Sequence, residues 1–235
     1  MSDTTTWPWT GALTAQVALL TLLGVVTGLG VLGWAAAAVY TAVVTALLVP
    51  AMHRYGRCPL GPADMVTLAR VVLIGAATAL VVDGAHTWAL VSVVVPALIL
   101  DAVDGEVARG TRTSSDFGAR FDMEADAFLI LVLSVQVAFD LGPWVLLIGA
   151  MRYLFGAASW PAPWLHGPLP ESTARKVVAA AQGIVLVVAV SGIMPEPMTT
   201  AAVAGALAAL LWSFGRDVAG LWRRRPTRAR AIEGS

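Results

Sequence analysis

Cysteine is nearly absent. Cys58 is the one thiol in the chain, which excludes an internal disulfide framework and any cysteine-rich metal site. The three histidines, His53, His86 and His166, stand apart in expected loops and form no ligand cluster. Charge is scarce as well: 13% of the 235 residues are Asp, Glu, Lys or Arg, about half the share usual in soluble domains. The formal net charge is zero, and no basic excess rides on a polar domain, so nucleic-acid binding is excluded. No Lys or Arg precedes Arg54. The N-terminus therefore lacks the basic region of a cleaved signal peptide, and the hydrophobic segments are expected to belong to the mature protein.

What fills the chain is apolar. Hydrophobic residues make up 58% and the mean hydropathy is +0.78, which points to a polytopic membrane protein. Apolar stretches run at 12–32, 35–51, 66–82, 87–103, 121–139, 143–159, 176–193 and 198–215, enough for eight spans in an all-α bundle. The first two are separated by the Gly-rich turn from Thr27 to Gly33, which a single kinked or re-entrant pair would also fit.

The basic residues set the orientation. The segments 83–86, 140–143 and 194–197 carry no Lys or Arg, whereas Arg54, Arg57, Arg70, Arg109, Arg112, Arg120, Arg175, Lys176, Arg216 and the tail from Arg223 all fall on the opposite side. That side is expected to be cytoplasmic. Trp34, Trp88 and Trp144 start spans at one interface, and Trp160, Trp164, Trp212 and Trp222 lie near the other, as bilayer anchors do. The segment from Pro161 to Ser172, with four prolines, reads as a loop.

Four aspartates interrupt this pattern at the inner ends of two spans. Asp101 and Asp104 are spaced i,i+3, and Gly118, Asp122 and Asp126 are spaced i,i+4,i+8, so each set lies on one helical face. If the two helices pack as neighbours, the four carboxylates converge. Such a group repels itself unless cations intervene. The ligand set is all oxygen, which suits Mg²⁺, Mn²⁺ or Ca²⁺, and a metal pair is a common clamp for phosphoryl chemistry. Gly105, Ala108 and Gly118 leave room for a ligand or a close helix approach, and Arg109 suits phosphate. A cation pathway through a transporter, or paired charges that merely shape a bundle, would use the same carboxylates.

The run Asp101-Ala-Val-Asp104-Gly105-Glu-Val-Ala108-Arg109, followed by Gly118, Asp122 and Asp126, resembles the signature of the CDP-alcohol phosphotransferases at all eight fixed positions. Upstream, Pro62-Ala-Asp64-Met-Val-Thr67-Leu-Ala-Arg70 resembles the opening of that family's first core helix, with Asp64 in place of the usual Asn and one residue later than usual. The resemblance implies a six-helix core over 56–222. Residues 1–55 are then a membrane extension of two helices, and 223–235 form a basic cytoplasmic tail.

It further implies transfer of a phosphatidyl group from CDP-diacylglycerol to a small alcohol or alcohol phosphate, with release of CMP. Asp101, Asp104, Asp122 and Asp126 would hold two divalent ions, Mg²⁺ or Mn²⁺, with Asp126 as general base. Thr67, Arg70, Asp101, Gly105, Ala108, Arg109 and Gly118 would line the cytidine diphosphate pocket. Arg152, Arg175, Lys176 and Arg112 are candidates for an acceptor phosphate, which favours glycerol 3-phosphate or inositol phosphate. Glu106 and Glu124 fall off the aspartate face, and Asp116 reads as a helix N-cap. The resemblance also implies a homodimer in the cell membrane with its site at the cytoplasmic face. Two alternatives stand beside this reading: transfer from CDP-choline or CDP-ethanolamine to diacylglycerol, and divalent-cation transport.

Overall fold

The computed structural model describes residues 7–54, 62–84, 87–111, 116–162, 164 and 172–223, and within these the side chains of 7–9, 48–54, 62–64, 102–111 and 116–120 lie outside the description. The described residues contain eight α-helices and no strand: α1 (Trp7–Thr27), α2 (Val31–Arg54), α3 (Pro62–Val82), α4 (Thr87–Thr111), α5 (Asp116–Leu141), α6 (Leu146–Ser159), α7 (Thr173–Ser191) and α8 (Glu196–Arg223). Each expected span finds a helix, because a backbone in hydrocarbon must satisfy its own polar groups.

The boundaries differ by up to eight residues: α4 runs on to Thr111, α5 starts at Asp116 and α8 runs on to Arg223. The break between the first two spans is confined to Gly28–Gly30, with Gly28 at φ +74°, so α1 and α2 are separate helices. α2 continues to Arg54, which puts His53 in a helix and not in a loop. The span expected over 143–159 opens with a 3₁₀ turn, Pro143–Val145, and only then becomes the 14-residue α6. Proline at the first position of that turn has no N–H to give a preceding carbonyl.

Among the described residues, four stretches are long and apolar enough to cross a membrane alone: Thr10–Thr27, Met65–Val82, Thr173–Ser191 and Glu196–Arg223. Val31–Leu47 and Thr87–Asp101 are shorter apolar runs. In α5 the charges of Asp116, Arg120, Asp122, Glu124 and Asp126 occupy the first three turns. Large apolar side chains such as Val25, Val31 and Phe139 face outward, which suits lipid and would be a liability in water.

α3 is the hub. α1, α2, α4 and α5 all pack on it, while α7 bridges α4, α5 and α8. Lipid is as apolar as leucine, so helix association here relies on close van der Waals contact and small residues. α3 supplies them: Ala76, Ala77 and Ala79 are fully buried beside Ile74 and Leu80, and they meet Ala89, Leu90 and Val94 of α4 in one continuous core with Leu129 and Leu133 of α5.

At one end of the bundle Arg175, Lys176, Arg216 and Arg223 gather on α7 and α8. Arg216 hydrogen-bonds Ser172 at 2.9 Å and stacks over Trp212 at 5.1 Å, and Trp164 meets Trp222 edge to face. This is the basic end. The α3–α4 turn with Asp83 lies at the other.

Candidate active site

Helical rise places the acidic residues at one level. Arg70 lies eight residues into α3, Asp122 and Asp126 six and ten residues into α5, and Asp101 ten residues before the end of α4. At about 1.5 Å per residue, all four sit roughly 9–15 Å in from the basic end. They also converge laterally. Arg70 is fully buried, and its guanidinium spreads across all three carboxylates: Nη1 donates to Asp122 Oδ1, Nη2 donates to Asp126 Oδ1, and Nη2 also pairs with Asp101 Oδ1 at 2.9 Å. Nε makes no hydrogen bond.

A buried arginine is tolerable only when paired, and its planar fork can hold several carboxylates at once where a lysine could hold fewer. The geometry corrects one expectation. α4 packs mainly on α3 and then α7, and α5 on α6, α3 and α7, so their aspartates meet through Arg70 and not across a broad direct α4–α5 contact. Mutual repulsion of the carboxylates is the physical reason for the intervening cation.

One guanidinium offsets one of three carboxylate charges and leaves two negative charges over. One oxygen from each of Asp101, Asp122 and Asp126 lies within 4.8 Å of the others. The three carboxylates are half-buried rather than sealed off, so a ligand can reach them. Hard oxygen donors, residual negative charge and access together fit a divalent cation such as Mg²⁺ or Mn²⁺.

The sequence profile of the CDP-alcohol phosphatidyltransferase family matches residues 61–216, from just before α3 into α8. The chain belongs to that family. Its members move substituted phosphate groups and use divalent metals, and the apolar helices make this a multi-pass membrane protein. Two curated relatives, the CDP-diacylglycerol–serine O-phosphatidyltransferases of two strains of Helicobacter pylori, are 39% and 42% identical over 69 residues. The matched stretch spans 27% of this chain and 29% of each relative's length. No solved structure matches the chain.

The other motif residues fall around the triad to different degrees. Thr67 lies one turn before Arg70 on α3, half-buried. Asp104, Gly105, Ala108 and Arg109 belong to the final turns of α4, and Gly118 to the first turn of α5, but their side chains lie outside the described residues, as do those of Asp64, Glu106, Asp116 and Arg120. Arg112 lies outside the described residues altogether.

Two of the acceptor candidates, Arg152 and Arg175, have carboxylate partners. Arg152 on α6 pairs with Glu124, its Nε donating to Oε2 at 3.3 Å. Glu124 thus turns from the aspartate face toward α6, in keeping with its helical angle. Arg175 pairs with Asp217 of α8 at 3.6 Å, and Lys176 follows it on α7. Two residues near the site escaped the sequence reading. Tyr40 of α2 donates its hydroxyl to the Val71 carbonyl at 3.1 Å, and its ring packs on Phe128 of α5. An aromatic in a span outside the motif carries no local signal of such a role.

Proposed function

We propose that the protein transfers a phosphatidyl group from CDP-diacylglycerol to the hydroxyl of a small alcohol and releases CMP. The observation that carries this reading is the meeting of Asp101, Asp122 and Asp126 on Arg70, within a segment that matches the phosphatidyltransferase family. Residues 56–222 are the catalytic core in this reading, 1–55 its membrane extension and 223–235 a basic tail.

Asp101, Asp104, Asp122 and Asp126 would hold two divalent ions, Mg²⁺ or Mn²⁺, which when bound supply charge neutralisation of the pyrophosphate and of departing CMP. Thr67, Asp101, Gly105, Ala108, Arg109 and Gly118 would line the cytidine diphosphate pocket, with the buried Arg70 acting behind them through the aspartates it holds. Asp126 takes the proton of the acceptor hydroxyl as its oxygen attacks phosphorus. One P–O bond forms to the acceptor and the P–O bond to CMP breaks, the bonding pair leaving with CMP. The basic end is assigned to the cytoplasmic face by the positive-inside rule. A site about 9–15 Å in from that end lets the lipid keep its chains in the bilayer.

The acceptor proposed is a small polar alcohol, with serine first. The named relatives support it, and so do the carboxylate partners of Arg152 and Arg175, which occupy two of the side chains a phosphorylated acceptor would need. A phosphorylated acceptor is the second reading, favoured by the cluster of Arg175 and Lys176 at the basic end.

The test is CMP release by purified protein given CDP-diacylglycerol, Mg²⁺ or Mn²⁺, and serine, glycerol 3-phosphate, inositol phosphate or inositol. Serine-dependent CMP that disappears in Asp126→Asn is the expected result. CMP formed only from CDP-choline or CDP-ethanolamine with diacylglycerol would overturn the donor. Divalent-cation flux without nucleotide turnover would overturn the reaction.

A further inference from the structure

Tyr40 lies outside the stretch the family profile covers, yet it touches α3 and α5, two of the three helices that bring Arg70 and the aspartates together. Its hydroxyl reaches the main-chain carbonyl of Val71, next to Arg70 on α3. Its ring stands 5.4 Å from that of Phe128, two residues beyond Asp126 on α5. The approach is close because residue 75 is glycine: a Cβ there would stand 2.9 Å from the Tyr40 ring and 2.7 Å from Gln16 Nε2 of α1. The two N-terminal helices therefore press on α3 just behind its arginine.

The hydrogen bond is aimed at backbone, and that gives it leverage. In a regular helix the Val71 carbonyl accepts from the N–H of residue 75. The phenol is a second donor to it from a neighbouring helix, which fixes α3 against sliding and rotation along α2. Arg70 extends a long, fully buried side chain from the adjacent position, so a small rotation of α3 swings its guanidinium relative to three carboxylates. A ring that merely filled space would need the glycine opposite it but not the hydroxyl, so the hydrogen bond is what marks the role.

We infer that Tyr40 is a positioning residue, holding α3 so that the Arg70 fork stays on Asp101, Asp122 and Asp126. The N-terminal extension is thereby part of the support of the site. This rests on the reading of the triad as a cation-binding catalytic centre.

The experiment is a double-mutant cycle on the full chain in detergent, with Mn²⁺ affinity followed by electron paramagnetic resonance and CMP release assayed in parallel. Tyr40→Phe is tested in the wild-type and Arg70→Lys backgrounds. Thr41→Val is the control: it removes a hydroxyl that bonds to Ala37 O within α2 and reaches no other helix. Tyr40→Phe should bind Mn²⁺ about fivefold more tightly and lower kcat by a similar factor, as loss of one ordinary hydrogen bond allows. Thr41→Val should change neither. In the Arg70→Lys background, where the fork is gone, adding Tyr40→Phe should shift affinity by less than about twofold. No shift from Tyr40→Phe, or an equal shift in both backgrounds, overturns the role of Tyr40 while leaving the catalytic reading intact. A folded wild type that neither binds Mn²⁺ nor releases CMP overturns the catalytic reading and this inference with it.

Discussion

The Asp83 carboxylate in the α3–α4 turn accepts a 2.8 Å hydrogen bond from the Gly30 N–H and a 3.3 Å bond from the Gly33 N–H. It thereby caps the N-terminus of α2, a helix that ends before α3 begins. An anion at a helix N-terminus satisfies free N–H groups and meets the positive end of the helix dipole. The glycines make room: a Cβ at Gly30 would stand 2.9 Å from Asp83 Oδ1. Asp83→Ala should therefore cost about 1 kcal/mol, as loss of an N-cap does. A lower thermal midpoint and faster hydrogen exchange at Gly30 and Gly33 would register it, with the amides of α7 and α8 unchanged.

Arg70 is the cation on which the site depends. Arg70→Gln leaves three carboxylates without their shared partner, and breaking a buried pair costs about 3–5 kcal/mol. The variant should lose CMP release by about 100-fold or more and become dependent on Mn²⁺ or Mg²⁺ for thermal stability. Arg70→Lys keeps the charge but not the fork, and should recover stability better than turnover. Thermal unfolding with and without Mn²⁺, read beside the kinetics, checks both.

Glu124 and Arg152 face each other with more than a third of each side chain exposed. Such a pair contributes about 0–1 kcal/mol. Glu124→Gln and Arg152→Ala should leave the KM for CDP-diacylglycerol and for serine within about twofold of wild type. Freeing Arg152 in Glu124→Gln should help phosphorylated acceptors alone. A large rise in the serine KM of Arg152→Ala would instead put that side chain in the acceptor pocket.

Gly149 sets the spacing of α5 and α6. A Cβ there would fall 2.4 Å from Leu131 Cα, and backbone cannot step aside as a side chain tip can. Gly149→Val should destabilise the pair by at least the 1–3 kcal/mol typical of overpacking, seen as a lower thermal midpoint. Gly156→Ala, on the same helix with nothing within 4 Å of its added methyl, should fold like wild type.

Much of this molecule was legible in one dimension. Apolar runs marked eight helices, since spanning hydrocarbon leaves the backbone little alternative, but not their polar ends: α4 runs on to Thr111 and α8 to Arg223, past the runs that ended at 103 and 215. The aspartates could be assigned to shared faces because helical spacing is local: Asp122 and Asp126 are one turn apart wherever α5 goes. The break after the first span was misplaced because a glycine-rich stretch permits a turn at several positions, and only Gly28 took the positive φ.

What the sequence determined by itself was the helix inventory, the membrane setting and the acidic signature, all consequences of composition and short-range periodicity. Tertiary structure decided which helices became neighbours, and so which distant residues met. Arg70 came between the aspartates of α4 and α5 because α3 is the hub on which both pack. Tyr40 reached Val71, and Asp83 reached Gly30, because small residues let α2 lie close along α3. These contacts join residues 31 to 56 positions apart. No local rule encodes them: they arise from the mutual fit of helix surfaces, which exists only once the bundle has assembled.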